Sequence, residues 1–179
     1  MWERSFQAAG VDEICQRANV KKGSFYYFFP SKTDLAIAAI ENSWAQTKGG
    51  LFDPSTIHPN GGLNQFHELI GHSYEFQLEL ISTKGGVLGC LFGNLGQEMA
   101  RQDERLRIVV QKIFDAHCAC IETALVCAEK KGEIPIGDNR QRAKNIFALI
   151  EGAHLLAKVE NDPQIFRSLI SAILVLASG

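Results

Sequence analysis

Apolar residues recur every three or four positions along nearly the whole chain, and strict alternation is almost absent, so the pattern predicts an all-α protein. "GVDEICQRANV" sets Val11, Ile14, Cys15 and Ala18 on one face of a short helix. A brief turn through Asn19 and Val20 leads into "KKGSFYYFF", which Pro30 closes because the residue before a proline is pushed out of the helical conformation. "SKTD" opens the next helix, with Ser31 as its cap and Asp34 where a capping box places an acid; Leu35, Ala38, Ala39 and Trp44 form its apolar face. Residues 48–62, rich in Gly, Pro, Asn and Ser, read as a loop. A helix then carries Phe66, Leu69, Ile70 and Tyr74, "STKGGVLG" breaks it, and "CLFGNLGQEMA" forms a shorter one. Asp103 begins a long helix that reaches Lys130 and Lys131 and stops at Gly132, with cations at the negative end of the dipole. Asp138 starts another, running to about Val159. Asn161, Asp162 and Pro163 cap the last helix, which buries Phe166, Leu169, Ile170, Ile173 and Leu174.

The chain is long enough for a real core, at 179 residues and 46% hydrophobic. Its net charge of -2 excludes a protein that is basic all over, but the charge is uneven. From Ile14 to Thr33 there are four basic residues (Arg17, Lys21, Lys22, Lys32) and no acid, whereas residues 49–179 hold 12 Lys/Arg against 15 Asp/Glu. A basic patch on an acidic body is the footprint of a phosphate-backbone binder as well as of an ordinary solvated face. The five cysteines are odd in number and sit in apolar periodic stretches, and there is neither a secretory pattern at the start nor an apolar run of roughly 18 residues. These features predict a reduced, cytoplasmic protein with free thiols and no membrane span.

Two short helices joined by a tight turn form a helix-turn-helix pattern, whose second helix enters the major groove. The residues suit that role. Lys21, Lys22 and Lys32 reach phosphates, as do the hydroxyls of Tyr26 and Tyr27; Gly23 permits close approach to the duplex, and Ser24 reaches a base edge. Phe25 and Phe29, four apart, face inward together, while the remaining aromatics, Phe28 among them, cover the outer surface.

"GVDEICQRANVKKGSFYYFFPSKTDL" resembles the helix-turn-helix of the TetR family of bacterial repressors, from about Phe6 to Leu35. The Gly23, Tyr26, Phe29 and Lys32 spacing carries the likeness. The resemblance implies phosphate contacts from Tyr26, Tyr27 and Lys32 and groove contacts from Lys22, Gly23 and Ser24. It also departs from the family pattern. Gly10 replaces a capping Ser or Thr, Lys21 replaces Ser or Thr, and Phe28 replaces a common His. Only "MWERSF" stands where the family has a full first helix, which is expected to leave the core of the DNA-binding unit incomplete.

The resemblance further implies a DNA-binding domain over residues 1–46 and a helical ligand-binding and dimerisation domain over 47–179. The expected partners are double-stranded operator DNA, a small-molecule inducer and a second copy of the chain, with no cofactor or metal. The last two helices are expected to form the two-fold dimer through Phe147, Ile150, Glu151, His154, Leu155, Phe166, Leu169, Ile170 and Ile173, beside the small residues Gly152, Ala153 and Ala157. "GVLGCLFGNLGQE" resembles a stretch of one branch that responds to small electrophiles and unsaturated compounds. It singles out Cys90, with Asn94 one turn later, as facing the ligand. Helical faces add Phe66, Leu69, Tyr74, Phe114, His117 and Cys118 as wall residues. Cys118 is one residue from His117 and two from Cys120, and residues that close do not face each other on a helix, so a metal site there needs partners from elsewhere. Covalent modification of Cys90, and a helical carrier or enzyme without DNA binding, are the competing readings. No catalytic motif supports an enzyme.

Overall fold

The computed structural model describes residues 2–47 and 61–179, apart from the Thr47 side chain. Most of the expected loop therefore lies outside the described residues. Among those described there are eight helices and no strand: α1 (Val11–Arg17), α2 (Lys22–Phe28), α3 (Lys32–Thr47), α4 (Asn64–Lys84), α5 (Leu91–Met99), α6 (Glu104–Lys130), α7 (Asn139–Glu160) and α8 (Ile165–Ser178). The chain divides into two compact units. One comprises residues 1–46 with 91–113, the other 47–90 with 114–179.

In the first unit α1 and α2 pack on each other and bury Cys15 and Phe25. Asn19 takes the left-handed conformation (φ 54°) between them, and the Val20 N–H donates to the Cys15 carbonyl at 2.9 Å. Asparagine tolerates that conformation better than bulkier residues. The cap at Ser31 forms as expected. Its hydroxyl accepts from the Asp34 N–H at 3.2 Å and donates to the Asp34 carboxylate at 2.6 Å. Arg105 closes on the same carboxylate at 2.8 Å. These bonds, the Ser31 hydroxyl first, hold the Asp34 carboxyl below its usual range.

The residues ahead of α1 contribute to this core, since Phe6 and Ala9 are buried. The Glu98 carboxylate accepts from the N–H groups of Phe6 (2.7 Å) and Gln7 (2.8 Å). On the other side Lys32 donates to the carbonyls of Phe6 (2.8 Å) and Ala9 (3.2 Å), its ammonium 4.4 Å above the Phe6 ring. Asp103 starts α6 by accepting from the N–H groups of Arg105 and Leu106, and it takes the Thr33 hydroxyl at 3.0 Å.

In the second unit α8 packs on α4 and α7. Phe66, Leu125, Ile146, Phe166 and Ile173, contributed by α4, α6, α7 and α8, are almost wholly enclosed. Gly132 (φ 71°) follows α6 as its spacing predicts, and Asp138 caps α7 by accepting from the Gln141 N–H at 3.0 Å. The segment between α4 and α5 is pinned from two sides. Asn161, left-handed at the end of α7, accepts from the Val87 N–H at 2.9 Å. Gln77 of α4, fully buried, accepts from the Gly89 N–H and donates to the Gly89 carbonyl, both at 3.3 Å. Gly89 has φ 71°, and a Cβ there would stand 3.1 Å from the His154 carbonyl of α7. Only glycine allows so close an approach with that backbone.

Candidate nucleic-acid interface and thiol site

The outer surface of α2 is built from residues that the core does not use. Lys21, Lys22, Gly23 and Ser24 are exposed, and so are Tyr26 (49%), Tyr27 (82%) and Phe28 (69%). Tyr27 and Phe28 pack edge to face at 4.9 Å, while Phe25 and Phe29 lie 6.0 Å apart, Phe25 buried and Phe29 half-buried. Gly23 is informative by what surrounds it. A Cβ there would meet nothing within 4 Å, and its φ is not in the left-handed range. Neither packing nor conformation within the chain requires glycine at this second position of α2, although glycine is a weaker helix former than alanine.

Two of the expected DNA contacts are already engaged. Lys22 forms an ion pair with Asp12 of α1 at 2.8 Å, and the hydrogen bond its ammonium donates to the Asp12 carboxylate holds its pKa above the ordinary lysine range. Lys32 is held by the carbonyls of Phe6 and Ala9, which leaves one of its three N–H groups for a phosphate.

In the second unit the pinned segment delivers Cys90, half-buried, to the residue just before α5. Its thiol hydrogen-bonds the Glu151 carboxylate of α7. Burial pushes that carboxyl above the ordinary glutamate range, and the bond from Cys90 opposes the shift. One turn further along α7, His154 packs edge-on to Phe166 at 4.8 Å, with its Nδ1 enclosed and without a partner. Part of the His154 surface remains accessible, yet the enclosed ring nitrogen dominates, and burial lowers its pKa to about 4.

The expected wall residues separate into groups. Phe66, Leu69 and Tyr74 belong to the core, and the Tyr74 hydroxyl accepts from Gln164 at 3.0 Å. Phe114 (4.9 Å, edge-on) and His117 (5.5 Å, stacked) both pack on Phe147. Burial, with Asp115 nearby, pushes the Cys118 thiol pKa up. Asn94 lies on α5 in the first unit. Of the residues expected at a dimer seam, Phe147, Ile150, Phe166, Leu169 and Ile173 are taken up by the protomer's own core, and Ile170 is half-buried. Leu155 is exposed. With Gly152, Leu156 and Val159 it forms an outward stripe at positions i, i+3, i+4 and i+7. Sequence reasoning missed Gln77 as the support of the thiol segment. A lone amide on the Ile70–Ser73–Tyr74–Gln77 face was the available signal.

His154 gives a stability that depends on pH. Its folded pKa lies below the unfolded value, so the unfolded chain binds more protons between about pH 6.5 and 4, and stability falls as pH falls through that window. The full effect is roughly 3 kcal/mol. Glu151, raised by burial, works the other way over the part of the window above the ordinary glutamate value. Urea unfolding at pH 7 and pH 5 should therefore show a steeper acid loss for the unmodified chain than for His154→Leu. Parallel curves would contradict the assignment.

Two family descriptions match stretches of this chain. The family described as "Bacterial regulatory proteins, tetR family" matches residues 1–39, and "Tetracyclin repressor-like, C-terminal domain" matches residues 74–173. The transcriptional regulator AcuR of Cereibacter sphaeroides is 30% identical over 165 residues, covering 90% of this chain and 72% of that one. The HTH-type transcriptional repressor NemR of Escherichia coli K12 is 28% identical over 161 residues, 89% of this chain and 79% of that one. Among solved structures, a regulatory protein TetR from Rhodobacter sphaeroides superposes with a TM-score of 0.79 at 28% identity, over 97% of this chain and 90% of that one. The reduced form of E. coli NemR superposes with 0.76 at 25% identity, over 96% and 88%.

Proposed function

The chain belongs to the TetR family of DNA-binding transcriptional regulators, and from that premise we propose that it is a cytoplasmic repressor that binds a palindromic operator as a homodimer and is released by a small-molecule inducer. The observation that carries DNA recognition is Gly23. An exposed helix position where nothing in the chain calls for glycine makes sense where another molecule must come close. Around it Lys21, Ser24, Tyr26 and Tyr27 supply donors for phosphates and base edges. The inducer acts where Cys90 meets Glu151, because α7 carries both that contact and the outward stripe suited to a second copy. Release follows when the inducer favours a state in which the two recognition helices no longer match successive turns of the duplex. That requires different affinity for the two states.

The test is fluorescence anisotropy with the chain's own upstream DNA at two salt concentrations. The unmodified protein is expected to bind tightly with a steep salt dependence. Gly23→Ala should unfold at higher urea, by about 0.4–1 kcal/mol, and yet bind that DNA about tenfold more weakly or worse. Unchanged affinity in Gly23→Ala would remove the support for this reading of α2.

A second reading, covalent sensing, is favoured by the Cys90–Glu151 hydrogen bond, since a carboxylate beside a thiol is a ready proton acceptor. A relative whose structure is identified as a reduced form points the same way. In this reading the Cys90 sulfur bonds the β-carbon of an enone and its proton ends on the α-carbon. Intact mass after methyl vinyl ketone treatment distinguishes the two. Adduct formation at Cys90, with release from DNA abolished by Cys90→Ser, supports the covalent path. Full release in Cys90→Ser supports reversible binding.

A further inference from the structure

Asp12 puts an exposed carboxylate beside a surface suited to meeting phosphates, where a lone acid is repelled. It lies on α1, yet both of its oxygens reach the Lys22 ammonium of α2, at 2.8 and 3.1 Å. The two side chains are 80% and 53% exposed. An exposed ion pair of this kind adds little to folding stability, so stability does not explain it. What the pair does is hold a flexible lysine at a defined place next to Gly23, where the helix surface is open.

The hydrogen-bonding capacity left over is specific. An ammonium carries three N–H groups, and one of them hydrogen-bonds the carboxylate, which leaves two. Each carboxylate oxygen keeps a lone pair. The pair thus presents adjacent donors with an acceptor beside them. In the major groove a G·C base pair offers the complement, with guanine N7 and O6 as neighbouring acceptors and the cytosine N4 amino group as a donor next to them. An A·T pair interleaves acceptor, donor and acceptor and ends in a methyl group.

We propose that Asp12 and Lys22 act as one base-reading unit that selects a G·C pair in each operator half-site, Lys22 donating to guanine N7 and O6 and Asp12 accepting from cytosine N4. The inference rests on the reading that α2 enters the major groove. Its alternative is a brake, in which Asp12 merely withholds Lys22 from phosphates.

The experiment is selection from a randomised double-stranded DNA library with the full chain, its Asp12→Asn and Lys22→Gln variants, and Asp12→Glu as the conservative exchange. Circular dichroism checks that each is folded. The unmodified protein should enrich a two-fold motif with one G·C position per half-site preferred at least about fivefold, the lower end for a bidentate base contact. Asp12→Asn and Lys22→Gln should both lose preference at that same position and keep the others, and Asp12→Glu should retain it. An Asp12→Asn protein that keeps every base preference overturns the inference, as does one that binds all sequences more tightly, which is the signature of a brake. Failure of the unmodified protein to enrich any sequence would instead overturn the DNA reading, and this inference with it.

Discussion

Gln77→Leu is expected to destabilise the helical body by roughly 2–4 kcal/mol. Leucine has a similar volume, so no large cavity opens. The loss comes from the Gly89 N–H and carbonyl, both of which Gln77 satisfies out of reach of water. A buried polar group left without a partner costs about 1–3 kcal/mol, and here there are two. Urea unfolding monitored by circular dichroism measures the change. A loss below about 0.5 kcal/mol would show that water reaches Gly89 and that the amide is not its support. The same variant should free the segment that carries Cys90, so alkylation of Cys90 should quicken in proportion.

Leu155→Glu combined with Val159→Glu is expected to give a monomer that binds operator DNA about a hundredfold more weakly or worse. Both side chains are exposed, Leu155 at 47% and Val159 at 74%, so charges there leave the core of the protomer untouched. They would, however, be driven into a seam made by Gly152, Leu155, Leu156 and Val159 meeting a second copy, and unpaired charges in such a seam are strongly disfavoured. Gly152 has open space around its Cβ position, which lets a second helix come close. Without the dimer each recognition helix binds one half-site alone and the gain from linked binding is lost, on the order of a hundredfold. Light scattering reads the assembly state and anisotropy the affinity. A persistent dimer with operator affinity within about threefold would place the interface on another face.

Helix boundaries were legible because they depend on local chemistry. Ser31 and Asp34, Asp103, Asp138 and Gly132 act on backbone groups a few residues away. The helix-turn-helix was legible for the same reason, from Asn19 and the spacing of Phe25 and Phe29. What stayed hidden depends on partners distant along the chain. Nothing near Lys32 indicates that the carbonyls of Phe6 and Ala9 claim its ammonium. The apolar period of α7 does not say which residues go inward. The family resemblance puts Phe147 and Ile150 at the seam, whereas the structure encloses them in the protomer, and the period gives no sign that Glu151 meets Cys90. The role of Asp12 is not legible locally, because the basic window begins two residues later while its carboxylate crosses a turn to reach Lys22.

The empty space around Gly23 and Gly152 also bears on how this chain would respond to selection. Alanine fits at both places without a clash and should raise heat resistance slightly at each. A mutant library sorted on thermal survival alone is therefore expected to fix alanine at the two positions early. The survivors would be sturdier proteins that had drifted away from both the duplex and the second copy.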